Sequence, residues 1–268
     1  MNRKEKFLQL TKKLRNTTSS KAPAVLAVGL LLIVWQIVSM SGLVPRYMLP
    51  SPTDVMMVFV KDTAALGSNL AVTLQEAFCG LTLGVLIGFA FAVAMDACDI
   101  LYRAFYPILV ITQTIPTVAI APLLVLWFGY EMTPKIILIV LVTFFPITVG
   151  LLDGFKSVDQ DAAGLLKSMG AGRIQIFRYL KFPSALPQFF SGLRIAAAYS
   201  VVGAVISEWL GGFHGLGVYM TRVKKAFAFD KMFAIIFLIS AVSLLLMALV
   251  DLAEKKCMPY RHIDKKLQ

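Results

Sequence analysis

The side chains able to do chemistry in this chain are few, and they sit in apolar surroundings. Thr112, Gln113, Thr114 and Thr117 surround Pro116 inside one long apolar run, while Tyr199, Ser200 and Glu208 punctuate a later one. Hydroxyl, amide, phenol and carboxylate groups spaced in this way can hydrogen-bond a polar solute, but none forms a nucleophile–base pair. The sequence holds no His-Glu-x-x-His, no Gly-x-Ser-x-Gly and no phosphate-cradling Gly-x-x-x-x-Gly-Lys-Ser/Thr loop. His214 and His262 lie far apart, near opposite faces of the membrane in the topology derived below, and no metal-ligand spacing occurs. We therefore expect neither an enzyme nor a catalytic residue, metal or bound cofactor. Polar groups at depth in lipid face protein or a cavity, and a proline loosens the helix beside them. Thr112, Gln113, Thr114, Pro116, Thr117, Tyr199, Ser200 and Glu208 are thus candidates to line a solute pathway. Interhelical hydrogen bonding, worth about 1 kcal/mol per bond, accounts for the same residues. For Glu208 the alternatives are pairing with Arg222 or Lys224, or a solvated place at the membrane edge.

The composition sets the elements that must position these groups. Of 268 residues, 58% are hydrophobic and 15% charged, and the mean hydropathy is +0.78. That profile belongs to an all-α polytopic membrane protein. The net charge of +11 invites a nucleic-acid partner, but the basic residues lie in the gaps between apolar runs, where they act as a topology signal. Six runs approach the roughly 20 residues a helix needs to cross a bilayer: 22–40, 73–95, 106–127, 134–152, 188–210 and 232–250. The first is too long for a signal-peptide core and five more follow, so it is read as a retained helix. The chain divides into a basic N-terminal segment (1–21), a six-helix membrane domain (22–250) and a C-terminal tail (251–268). With both termini in the cytoplasm, eighteen Lys and Arg fall inside and seven outside, four of them in the last outer loop. Cys79, Cys98 and Cys257 then sit in lipid or reducing cytoplasm, as free thiols.

Between the fourth and fifth runs lies a charged, amphipathic segment, residues 159–187, too polar for the hydrocarbon. Ala162, Leu165, Leu166 and Met169 share one helical face. Gly170 and Gly172 break that helix, and a second begins near Arg173, carries Ile174, Phe177 and Leu180, and is expected to stop at Pro183. The pattern suits a helix pair docked on a partner protein, and equally an interfacial helix lying on lipid head groups.

A series of motifs bears on this choice. In order they are Leu49-Pro50-Ser51-Pro52, Thr114-Ile115-Pro116-Thr117 through Trp127-Phe128-Gly129, Gly170-Ala171 with Pro183 and Leu186-Pro187, Ser191-Gly192-Leu193-Arg194, Glu208-Trp209-Leu210-Gly211, and Gly215-Leu216-Gly217. Over residues 49–252 the chain resembles the permease subunit of a binding-protein-dependent ABC importer, in the branch serving nitrate, sulfonates, taurine and thiamine-pyrimidine precursors. The resemblance implies the type I importer fold, with segment 159–187 as the cytoplasmic coupling helix pair. It also implies two copies of an ATPase subunit that binds the ATP, an extracytoplasmic binding protein and a permease homodimer in the inner membrane. The coupling residues would be Ala162, Leu165, Leu166, Met169, Gly170, Arg173, Phe177 and Pro183. The family writes this segment as Glu-Ala-Ala, three residues, Gly, nine residues, Ile-x-Leu-Pro. Aligned on Gly170 and Pro183, the Glu-Ala-Ala positions fall on Gly164, Leu165 and Leu166, so the acidic residue is missing; Asp161-Ala162-Ala163 stands one turn early. The stretches around Tyr199-Ser200 and Gly217–Arg222 most resemble permeases for thiamine-pyrimidine precursors, with an aliphatic sulfonate, taurine or nitrate as the other cargo. An ion-coupled secondary carrier or a substrate-capture subunit remains the contrasting class.

Overall fold

A computed structural model describes residues 23–258 apart from 24, 43 and 46. The expected basic segment 1–21, His262 and most of the C-terminal tail lie outside the described residues. Every regular element among those described is helical. In chain order they are α1 (Val25–Met40), α2 (Pro52–Lys61), α3 (Thr63–Ala97), α4 (Asp99–Thr114), α5 (Thr117–Phe128), α6 (Met132–Lys156), α7 (Gln160–Ser168), α8 (Arg173–Ile176), α9 (Phe182–Leu210), α10 (Leu216–Lys225) and α11 (Phe229–Cys257). Large apolar side chains such as Leu26, Ile100 and Leu126 lie bare on the surface. Only lipid or other apolar partners could cover so much of the molecule.

Among the described residues four helices are long and apolar enough to cross a membrane: α3, α6, α9 with its N-terminal extension from Arg173, and α11. Each outruns the apolar run that announces it, because charged turns at the helix ends reach past the hydrocarbon. The expected span 106–127 is corrected. It consists of two helices, α4 and α5, meeting at 100°. Ile115 and Pro116 are both extended at the break, since proline disfavours helical geometry in the residue before it and offers no N–H of its own.

The chain forms two compact units. The first comprises the described residues of Met1–Thr63 with Val223–Ala234. Here Leu49-Pro50-Ser51-Pro52 starts α2: Ser51 Oγ accepts from Asp54 N–H at 3.2 Å, Asp54 Oδ2 accepts from Ser51 N–H at 3.2 Å, and Pro52 occupies the first turn. This is a capping box with proline where its missing donor costs nothing. Asp62 and Lys231 pair at 2.5 Å in the same unit.

The second unit, Ala64–Arg222 with Ile235–Gln268, holds the membrane core. Helix α6 lies against α3 and α9, and one core joins Ala92 and Met95 of α3, Leu109 of α4, Ile147, Leu151 and Phe155 of α6, and Ala185 and Ala196 of α9. Small residues bring the α6 and α9 backbones together. A Cβ on Gly150 would lie 2.7 Å from the Gln188 carbonyl oxygen, and one on Gly192 would overlap that of Pro146. Without water to drive association, this close approach of backbones supplies the van der Waals contact that holds membrane helices.

Replacement at that contact tests the packing. Gly192→Leu should cost about 1–3 kcal/mol through overpacking, seen as a lower unfolding temperature in detergent. Gly164→Ala, whose added carbon meets nothing within 4 Å, should not lower it.

Candidate functional site

The amphipathic segment folds as a short helical knuckle. Asp159 caps α7, its Oδ1 accepting from Asp161 N–H at 2.9 Å. At the other end Ala171 N–H reaches Leu166 O and Gly170 N–H reaches Lys167 O, both at 3.0 Å. That pair of bonds is the Schellman ending, which needs a left-handed residue, and Gly170 has φ +85°. Gly172 then turns the chain into α8, its N–H held at 2.7 Å by Gln175 Oε1. The expected stop at Pro183 is corrected: the helix continues from Arg173 to Leu210. A π turn over Phe177–Lys181 widens the backbone just before Pro183, so the proline ring is accommodated and sits in the first turn of α9.

The candidate coupling residues divide by environment. Leu165 is 62% exposed and Met169 75%, with Ile174 bare beside them; Ala162 and Leu166 are half-buried. Gly164, where the family's acidic residue would stand, faces open space. Phe177 turns the other way. Its ring packs on Phe155 of α6 at 5.3 Å and against Phe182 at 6.3 Å. Next to it Lys181 Nζ binds both carboxylate oxygens of Asp96, at 2.8 and 2.9 Å. Arg173 lines a cavity of about 550 Å³ with Asp96 and Asp99. The knuckle thus presents an apolar surface outward and is anchored inward to α3 and α6. At the same end of the bundle Arg194 pairs with Asp251 at 2.6 Å and with Glu254 at 2.7 Å, which gives the one basic residue inside the expected fifth span its partners.

The candidate pathway residues are not brought into one cluster. Gln113, Thr114 and Pro116 are exposed at the α4–α5 break, and Thr112 and Thr117 are half-buried. The Thr112 and Thr114 hydroxyls donate to the Leu109 and Ile111 carbonyls of their own helix. Tyr199 is exposed, whereas Ser200 is fully buried and donates to Ala197 O. Both expectations for Glu208 are overturned. It is 1% exposed and pairs with neither Arg222 nor Lys224; Arg222 instead donates to Phe213 O.

Glu208 belongs to a buried polar cluster that composition and spacing do not reveal. Its Oε1 accepts from the Thr73 hydroxyl at 2.7 Å and its Oε2 from Gly217 N–H at 2.6 Å. Thr73 Oγ1 accepts in turn from Leu216 N–H at 2.9 Å, and Asn69 Oδ1 from Gly215 N–H at 2.9 Å. The donors Leu216 and Gly217 open α10, whose positive dipole end meets the carboxylate. Gly215, at φ +122°, lies so close that any Cβ would overlap the Glu208 carboxylate. The Glu208-Trp209-Leu210-Gly211 and Gly215-Leu216-Gly217 motifs are therefore two halves of one contact. Nearby, Lys135 of α6 binds Glu76 Oε1 of α3 at 2.5 Å, both side chains buried, while Glu76 Oε2 is buried without a donor. The signal in the sequence was the i, i+4, i+7 row Asn69, Thr73, Glu76 at the start of an otherwise apolar helix, which only its partners make legible.

Residues 80–258 match the family of the binding-protein-dependent transport system inner membrane component. The chain belongs to this family: it is a multi-span inner-membrane permease of the ABC importers, with the all-helical fold of that class. A probable ABC transporter permease protein of Haemophilus influenzae is 39% identical over 85% of this chain and 93% of its own length. A formylaminopyrimidine transport permease of Halalkalibacterium halodurans is also 39% identical, over 87% of this chain and 93% of its own. The crystal structure of an amino acid ABC transporter with histidines shares the fold, with a TM-score of 0.63 at 19% identity over 75% of this chain and 97% of that one. The family implies an ATPase and a substrate-binding protein as partners.

The buried ion pair predicts a thermodynamic cycle. Lys135→Met should destabilise the protein by about 3–5 kcal/mol, because it leaves a buried carboxylate without its countercharge. Adding Glu76→Gln should recover most of that loss. Unfolding in detergent with each single and the double variant measures the coupling.

Proposed function

We propose that this chain forms, as a pair of copies, the translocation pathway of an ATP-driven importer, and that α7 and α8 receive the power stroke from two ATPase subunits. The observation that carries this reading is the two-sided knuckle. Among the described residues Leu165, Met169 and Ile174 offer exposed apolar surface, while Phe177 and Lys181 tie the same segment to α6 and α3. An interfacial helix on lipid needs the apolar face but not the inward anchors. Closure of the ATPases would draw the two knuckles together. Phe177 passes that motion to α6, and the third to fifth spans rock as rigid levers to open the far side. Both termini lie in the cytoplasm on this reading, on the same side as the knuckle.

The cargo is a small pyrimidine precursor of thiamine, by likeness to the formylaminopyrimidine permease across nearly the whole of both chains. Gln113 and Thr114 at the α4–α5 break, with the exposed Tyr199 phenol, supply the hydrogen-bonding and stacking groups such a ring accepts. Glu208 leaves the pathway in this reading, since its carboxylate is closed off by Thr73 and the α10 turn.

Two measurements test the proposal. Leu165→Asp with Met169→Asp should leave the permease folded, because both side chains are exposed, yet weaken its assembly with the ATPase at least tenfold in pull-down or light-scattering titration. Undiminished assembly rejects the docking role. Uptake of labelled formylaminopyrimidine should be lost in cells lacking only this chain and in cells whose partner ATPase is inactivated. Uptake that persists without ATPase activity would point to an ion-coupled carrier.

A further inference from the structure

Helices α7 and α10 end in the same way, and the difference between them is informative. At the end of α10, Ala228 N–H reaches Val223 O at 3.0 Å and Phe227 N–H reaches Lys224 O at 3.1 Å. This is the bond pair that closes α7, where the left-handed position is held by Gly170. At α10 it is held by Phe227, with φ 57°. Among the described residues the other four positive-φ positions are all glycine, and Phe227 is the exception. A Cβ in left-handed geometry is strained, and for a bulky aromatic it is an outlier. Glycine would serve this turn better, so the local rule is broken in favour of a side chain.

That side chain does not repay the strain by packing inside. Phe227 is 69% exposed and touches Phe229 only edge-on, ring centroids 6.3 Å apart. It stands at the rim of a hollow of about 440 Å³ whose walls include Tyr47, Asp54, Lys61, Phe229 and Asp230. Lys224 and Lys225 are exposed immediately before it. One crossing, α9, separates this turn along the chain from the α7–α8 knuckle.

We propose that Phe227 is the anchor by which the extracytoplasmic binding protein docks, its ring entering an apolar pocket of that protein while a loop of the partner enters the hollow beside it. The inference rests on the reading of α7 and α8 as the ATPase side, which puts Phe227 outside the cell. The family is itself described as binding-protein-dependent, so a protein partner must land on this side. A projecting aromatic beside a concave, mixed-charge floor is the form of an interface anchor, desolvated at its centre and polar at its edge. A lipid surface suits the ring and Lys224 and Lys225, but not the mixed acidic and basic lining of the hollow. The exposed lysines call for an acidic rim on the partner. They also give a reason for the basic residues that accumulate in this outer loop against the usual charge bias.

The test uses the permease–ATPase complex in nanodiscs, titrated with its cognate binding protein loaded with formylaminopyrimidine, and follows ATP hydrolysis. Phe227→Gly should relax the turn, so the complex melts at the same temperature or higher. It should also raise the binding-protein concentration for half-maximal stimulation by about tenfold, leaving basal hydrolysis unchanged. Phe227→Tyr should retain most of the affinity, and Lys224→Glu with Lys225→Glu should weaken it in a salt-dependent way. An unchanged half-maximal concentration in Phe227→Gly overturns the proposal. So does a fall in melting temperature in Phe227→Gly, which would make the ring a packing element. Equal weakening of direct formylaminopyrimidine binding to the complex, measured without the binding protein, would make the hollow a solute site and likewise overturn it. Absence of any stimulation in the wild-type complex would instead refute the importer reading on which the inference stands.

Discussion

A carboxylate buried where a polar turn must cross back over the bundle imposes the tightest constraint on this protein. Glu208 stands at the end of α9, and everything around it is arranged to receive its two carboxyl oxygens: the Thr73 hydroxyl from α3, Gly217 N–H from the start of α10, and Gly215 folded against it with no room for a side chain. Glu76 and Lys135 extend the cluster to α6. In a low-dielectric setting each group is tolerable only because its neighbours are in place. The cluster therefore behaves as a single fastening of α3, α6, α9 and α10, with little freedom to rearrange.

The other end of the same bundle is fastened differently. Asp96–Lys181 and the Arg194–Asp251–Glu254 network are partly open to solvent, where ion pairs contribute little and exchange readily with water. The glycine and alanine contacts of α6 with α9 run between the two ends and keep the backbones in register. The bundle is thus fixed firmly at one end and tied loosely at the other, with its helix packing kept in between. The break at Ile115-Pro116 adds a joint in the one span that the exposed polar residues Gln113 and Thr114 occupy.

Much of this was legible in the order of residues. Apolar runs gave the spans, because lipid leaves a backbone few choices other than helix. The Leu165 and Met169 face, the Gly170 break and the outward polarity of residues 159–187 followed from helical spacing and from the one residue type that takes left-handed geometry easily. The Ser51-Pro52-Thr53-Asp54 start of α2 is as local a signal as a sequence can carry. Where the expectations for helix bounds failed, the backbone beside a proline was responsible. Pro183 does not end its helix because a π turn makes room for it, and span 106–127 is not one helix because Ile115 and Pro116 together abandon helical geometry.

The sequence by itself determined that the chain lives in a membrane and that it carries a polar helix pair between two spans. Those properties depend on composition and on contacts a few residues long, which the covalent order dictates. Only the tertiary structure decided that Glu208 is a structural clasp and no part of a solvated edge, that Phe177 points inward while Leu165 points out, and that Phe227 occupies a glycine's place. Each is settled by groups from distant parts of the chain or by a backbone angle. The energy of a charge or an exposed ring depends on what lies within a few ångströms of it, and residue order does not specify that surrounding.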